Sequence, residues 1–586
     1  MSSEPRRLLT AHFLRRLIDD DLISPNADRH ESLAMILGAL ASLGLFVSVL
    51  ISTRYLFNPY QTPGATAVSA MFDHFLFVSA SMTATALVTL LAWDGLAVDA
   101  RDASVLGAMP IRTRTIVAAK FGALVRFAAM FSGALNLVPS VIAPLLMVSK
   151  LPLKIWQLPA LMLAQAVTVT LAAAFGFFAV LAIRGLLNAA LGRALFARVS
   201  AVVQAVLLVA VACAFLLLPV VVSRINRVWL EPQSRAALMA PPLWFVGLQE
   251  IAVGHIIADL PRRRMPPRIQ AIEAQATRTY NGARALFPGL ALTAVVKLVA
   301  VTLSAILLFA WNNRRMVPPP PATATAGWIR RGIGVTARSV IRQPETQASF
   351  FFTLQAMLRS PQHRLTIAAS LALGLTASVF AVAVGSVTRR GAGDAMTAGV
   401  LAVQPVVLAA LLMGFRHAVR LPAELAANWA VQVAWAGDIR PLIAGAKAAG
   451  ALLFVVIPVL TLAPLYAALF TPRDAVAIAA CGLAGGLATL EALFMSYRKM
   501  PFACGYLPAN VKVLAPIAVA MFVFFTYQFA HRVRAALQNG TALEFAMFLV
   551  AVFLVLRGID AFKRRTPRPF EFDEMPEPPT QRLGLS

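Results

Sequence analysis

The 586 residues are 59% hydrophobic with a mean hydropathy of +0.75, and only 13% are charged, against about 25% in soluble domains. That much apolar surface exceeds what a soluble core absorbs, so an ordinary water-soluble enzyme is excluded and the bilayer is the expected solvent. Lys and Arg number 52 against 26 Asp and Glu, a net +26; in a membrane chain this excess fits the positive-inside rule better than nucleic-acid binding.

Residues 1–32 read as an amphipathic interfacial helix, with Arg6, Arg7, Arg15 and Arg16 beside Leu8, Leu9, Phe13 and Leu14. Such a helix lies on the inner leaflet. It has no apolar core of its own, so no cleavable signal peptide is expected. Apolar runs long enough to cross a bilayer follow at 33–53, 74–93, 120–148, 158–183, 199–222 and 288–311. A second set lies at 365–386, 396–415, 443–470, 475–497, 513–530 and 542–560. Backbone groups in lipid must be satisfied internally, so all twelve read as helices.

The expected organisation is therefore a first six-span half, 33–311, with an outer loop at 223–287. A cytoplasmic linker, 312–364, leads to a second six-span half, 365–560, and a cytoplasmic tail, 561–586. Placing both termini inside gives the inner segments the larger share of Lys and Arg. Nine of the outer ones, Arg224 through Arg284, sit in the 223–287 loop, which is too long for the rule to govern. Arg389 and Arg390 fall outside in this arrangement.

Within the outer loop, PPLWFVGLQE (Pro241 to Glu250) precedes a basic turn, Arg262 to Arg264. The spacing suggests short amphipathic helices on the outer face. The linker contains Pro318 to Pro321, a stiff extended spacer, and a charged helix ending at Arg364. Its Arg359 to Arg364 cluster reads as a contact for anionic lipid.

The polar insert after the second span is the most informative segment. It carries Asp94, Asp99 and Asp102, then Leu106, a Met109-Pro110-Ile111-Arg112 break and Lys120. It reads as a short amphipathic helix shaped for a partner rather than a plain turn. The insert after the eighth span has a similar order. Glu424, Asn428 and Trp429 share one face of an expected helix, and Ile439-Arg440 and Ala446-Lys447 echo Ile111-Arg112 and Ala119-Lys120. This points to an internal repeat. Ordinary interfacial helices with snorkelling charges are the plain alternative. Arg126, Lys297 and Glu491 fall inside expected spans, where charge marks a substrate path or an interhelical pair.

Catalytic signatures are absent. No GxxxxGK[ST] phosphate loop, HExxH or GxSxG occurs. Cys213, Cys481 and Cys504 show no CxxC spacing, and the seven histidines are scattered, so neither a disulfide framework nor a metal centre is indicated. No catalytic residue, metal or cofactor is expected in the chain itself.

At the first insert, Asp102, Leu106, Pro110-Ile111 and Lys120 resemble the acid, Leu, Pro-Ile, Lys pattern between the second and third spans of ABC-exporter permeases of the second type. The fragments WDGLAVDARDASVLGAMPIR, PPLWFVGLQE, TLQAMLRSPQHR, LPAELAANW and MPFACGYLP make the chain similar to a bacterial subgroup of large two-half permeases. This insert lacks the Glu-then-Gly-Thr start common in the wider family. The resemblance implies an export permease of the inner membrane, moving substrate with ATP hydrolysed on a separate ATPase chain, expected in two copies. It also implies that the insert contacts that ATPase, through Asp99, Asp102, Leu106, Pro110, Ile111, Arg112 and Lys120. Glu424, Asn428, Trp429, Arg440 and Lys447 would serve the second half. A structural or assembly protein, or an ion-coupled carrier, is the alternative.

Overall fold

The computed structural model describes residues 4–21, parts of 37–51, 62–98, most of 102–148 and of 154–218, 240–258, 266–314, 341–387, 392–422, most of 440–503, and 514–563. Asp99, Arg262 to Arg264, Glu424, Asn428, Trp429, Arg389, Arg390 and the Pro318 to Pro321 spacer lie outside the described residues. Among the described residues there is no strand, and nine helices there are long and apolar enough to cross a membrane. The chain is an all-α, multi-pass membrane protein.

It divides into two units, Met1–Thr323 and Ala324–Ser586. The first unit opens with α1 (Glu4–Asp21), followed by α2 (Pro63–Leu91), α3 (Thr113–Val148) and α4 (Gln157–Leu216). Then come α5 (Pro241–Gln249), α6 (Pro267–Arg284) and α7 (Phe287–Asn313). Proline early in a helix costs nothing, because its missing N–H has no intrahelical partner there. Pro63, Pro241, Pro267 and Pro288 use this position. The Thr62 hydroxyl caps α2 by accepting from Ala65 N at 3.4 Å.

α4 is two helices joined at Gly192, whose φ of 70° breaks the helix. A side chain there would be strained, which is why glycine stands at the junction. The junction falls between the expected spans 158–183 and 199–222. The described part of the expected span at 33–53 includes an apolar helical stretch, Leu40–Val49.

The core of the first unit joins Met71, Phe75 and Val78 of α2 with Val169 and Ala172 of α4. Leu243, Phe245 and Val246 of α5, and Phe287 and Leu290 of α7, complete it. This departs from the expectation for PPLWFVGLQE. α5 is not an amphipathic surface helix but a buried one, with Phe245 and Val246 fully enclosed. The reason is compositional: Leu243 to Val246 is apolar on every face, and such a helix has to be covered all round. α6 packs on this core through Tyr280 and Ala283.

The second unit begins with α8 (Pro344–Arg359), α9 (Pro361–Val387) and α10 (Ala392–Ala418). Next, α11 (Arg440–Ala451) runs through a π-turn (Leu452–Val456) into α12 (Ile457–Leu469). It ends with α13 (Pro472–Phe494), α14 (Leu514–Gln538) and α15 (Ala542–Lys563). Thr471 caps α13, accepting from Asp474 N at 3.3 Å while donating to Asp474 Oδ2 at 2.7 Å. α15 shows most of its apolar surface to the outside, as a lipid-facing helix must.

One contact has a counterpart in each unit. In each, an amphipathic helix precedes the long helices and packs on the helix that follows the polar insert: α1 on α3, and α8 on α11. Ala119 and Ala446, the alanines before the repeated lysines, are both fully buried. Gly445 lets α8 come close, because a Cβ there would lie 2.7 Å from Ser349 Cβ and 2.8 Å from Phe350 N. Small residues at helix contacts are how membrane helices gain packing without a hydrophobic drive.

Candidate functional site

The first insert is tied down from below. Trp93, fully buried, donates from Nε1 to Ser200 Oγ at 2.8 Å. Gln204 Nε2 donates to the Leu90 carbonyl at 2.9 Å. These bonds fix the end of α2 against the second segment of α4. Beyond a short 3-10 turn, Asp94–Leu96, Asp102 accepts from the Arg16 guanidinium of α1. Lys120, 3% exposed, sets its Nζ 5.1 Å from the centre of the buried Phe13 ring. A desolvated cation over an aromatic face is worth up to about 2 kcal/mol.

The residues expected at this insert therefore separate into two faces. Asp102, Leu106 and Lys120 are buried, and Asp102 and Lys120 anchor the segment to α1 through Arg16 and Phe13. Pro110 and Arg112 are exposed, and Ile111 is half-buried. Val105 and Met109, not singled out from sequence, are exposed at 57% and 45%. The outward face is thus apolar and basic.

In the second unit, three fragments far apart in sequence converge where α10 ends. The Val419 carbonyl accepts from Phe502 N at 2.9 Å and from the Tyr497 hydroxyl at 3.2 Å. His363 reaches the Leu421 carbonyl with Nε2 at 3.2 Å and Ser360 Oγ with Nδ1 at 2.7 Å. Phe502 has a φ of 62°, which is unusual for a bulky residue. Its ring packs 5.4 Å from His363 and 5.7 Å from Phe352, centre to centre. Sequence order alone gave no signal for this convergence.

Lys447 and Glu491 were expected in different roles, and the structure brings them together. Lys447 Nζ donates to Glu491 Oε2 at 2.6 Å and to Asp560 Oδ2 at 2.8 Å. The three side chains are 14%, 7% and 6% exposed. They link α11, α13 and α15 at one end of the unit. Lys447 therefore faces inward rather than outward toward a partner, whereas Arg440 at the start of α11 is exposed. Arg126 on α3 and Lys297 on α7 are both exposed, as expected of long cationic side chains that snorkel.

One polar cluster escaped the sequence reading. His74 of α2 lies with Nδ1 2.7 Å from Glu250 Oε1, and the Tyr280 hydroxyl donates to Glu250 Oε2 at 2.9 Å. Glu250 opens a π-turn, Glu250–Gly254, a distortion that is frequent at functional sites. Nearby, both Glu273 oxygens accept from Gly64 N at 3.0 Å, and Gln249 Nε2 donates to Gln165 Oε1 at 2.5 Å. The signal present in the sequence was Asp73-His74 beside an apolar run, together with Glu250 ending PPLWFVGLQE. Among the described residues no group of three His, Cys, Asp or Glu side chains is placed to hold a metal ion. No family model, curated protein or solved structure matches the chain.

Proposed function

We propose that the chain is the transmembrane permease of an exporter powered by a separate ATPase, with both termini cytoplasmic in a bacterial inner membrane. The observation that carries this reading is the two-faced insert after α2. Buried Asp102 and Lys120 fasten it to α1, while Val105, Met109, Pro110 and Arg112 are exposed. Apolar side chains left exposed beside a proline break mark a contact face. An insert that docks in a protein groove needs such a face, with a rigid mount behind it.

The packing of α1 on α3 and of α8 on α11 supports one ATPase contact per unit, and so two ATPase copies. ATP binds the partner and not this chain, which has no phosphate loop. The test is purification of the tagged full-length chain from its native membrane, followed by mass spectrometry. An ATPase that co-purifies, and whose hydrolysis rate depends on Arg112, supports the reading. Absence of any ATPase under conditions that keep the chain folded overturns it.

A second reading has its own observation. The buried His74–Glu250–Tyr280 cluster is what an ion-coupled carrier would use, because a buried carboxylate is expensive to keep without a task. Substrate flux in vesicles driven by a proton gradient, without ATP, and lost in Glu250→Gln would favour the carrier. ATP-dependent flux that survives the substitution would favour the exporter.

A further inference from the structure

The Lys447–Glu491–Asp560 cluster forms the floor of a cavity of about 430 Å³. Arg440, Arg557, Phe553 and Leu487 are among its walls. The lining carries three cations against two carboxylates. Lys447 lies between both carboxylates, so the floor is polar without being an open negative patch. Arg557 is exposed, its guanidinium 5.9 Å from the centre of the Phe553 ring.

Position decides what such a cavity meets. Glu491 stands three residues before the end of α13 at Phe494, and Asp560 three before the end of α15 at Lys563. Arg440 is the first residue of α11. The cavity therefore sits near helix ends, where membrane-spanning helices reach the head groups. Its outer wall is α15, whose apolar surface is largely uncovered, with Leu554 and Phe562 exposed at 59% and 72%. A molecule occupying the cavity has charge at one end and hydrocarbon alongside.

We propose that this cavity binds the head group of an anionic glycerophospholipid. Arg440 and Arg557 take the phosphodiester, because guanidinium groups match its oxygens in paired hydrogen bonds. The Glu491 carboxylate accepts from the head-group glycerol hydroxyls, since a carboxylate has acceptor sites beyond the one a lysine occupies. The acyl chains lie along α15. Basic pockets between helices at the membrane surface bind lipids in this way. The carboxylate floor adds selection, since it repels an anion with no hydroxyl to donate. This proposal does not depend on the exporter reading.

The test uses the full-length chain in detergent, with thermal unfolding followed during titration by dioleoyl phosphatidylglycerol, dioleoyl phosphatidylcholine or glycerol phosphate. Phosphatidylglycerol should raise the midpoint saturably, and the other two should not. Arg440→Gln with Arg557→Gln should raise the half-saturating lipid concentration about tenfold, and either alone about threefold. Both arginines are exposed, and the midpoint without lipid reports any loss of fold in these variants. Arg532→Gln, an exposed charge on α14, should change nothing. An unchanged response in the double variant, or an equal response to phosphatidylcholine, overturns the site. Saturation by glycerol phosphate at similar concentrations overturns the lipid assignment in favour of a soluble phosphate ester.

Discussion

The Lys447 ammonium lies 2.6 Å from Glu491 Oε2, across 44 residues of sequence. This contact binds α11 to α13. With Asp560 at 2.8 Å on the same ammonium, one lysine holds two carboxylates that would otherwise repel. Removing it exposes the energetics directly.

Lys447→Met should cost roughly 3 kcal/mol or more, because it leaves two buried carboxylates without their cation. Glu491→Gln should cost less, since Asp560 still pairs with the lysine. The double variant Lys447→Met with Glu491→Leu should recover part of the loss. Unfolding midpoints in one detergent check the order. Equal midpoints for Lys447→Met and the native chain would show that the cluster contributes nothing.

Arg112→Glu should leave folding intact and reduce ATPase co-purification at least tenfold, because it reverses charge on the outward face of the insert. Lys120→Glu should instead weaken the fold, since the side chain is buried against Phe13. Measuring ATPase retention and unfolding midpoint for both variants separates docking from anchoring. A loss of midpoint in Arg112→Glu equal to that in Lys120→Glu would erase the distinction between the two faces.

Glu250→Ala should destabilise the first unit by about 2–3 kcal/mol, leaving both the His74 ring and the Tyr280 hydroxyl without their acceptor. Glu250→Gln keeps an acceptor for Tyr280 and should cost less than half of that. Tyr280→Phe should be milder still. Reversible unfolding in detergent, or the denaturant midpoint, reads all three.

Gly445→Val should disrupt the packing of α8 on α11, since the added atoms meet Ser349 and Phe350 at under 3 Å. Overpacking of this type costs about 1–3 kcal/mol. Disulfide trapping between cysteines placed on α8 and α11 would fall if α8 moves away. Trapping at the native rate in the Gly445→Val variant would mean the two helices have room to spare.

Much of the site was hidden from the sequence for a definite reason. At Asp102 and Lys120 the residue types were legible, but which face is inward was not, because the insert is too short to show a helical period. At PPLWFVGLQE the apolar run was visible, yet its burial depended on α2, α4 and α7 closing around it. The His74–Glu250–Tyr280 cluster joins positions 176 and 30 residues apart, and no local pattern reports such a pairing.

The sequence by itself determined the class: an apolar content that only a bilayer accommodates, helices because lipid satisfies no backbone group, and helix starts marked by proline and threonine. Those are local consequences of composition and backbone chemistry. The tertiary structure alone decided which charges meet. A helix apolar on every face carries no record of which side will touch lipid and which will touch protein. Lys447, Glu491 and Asp560 became one cluster only when α11, α13 and α15 packed at the same end.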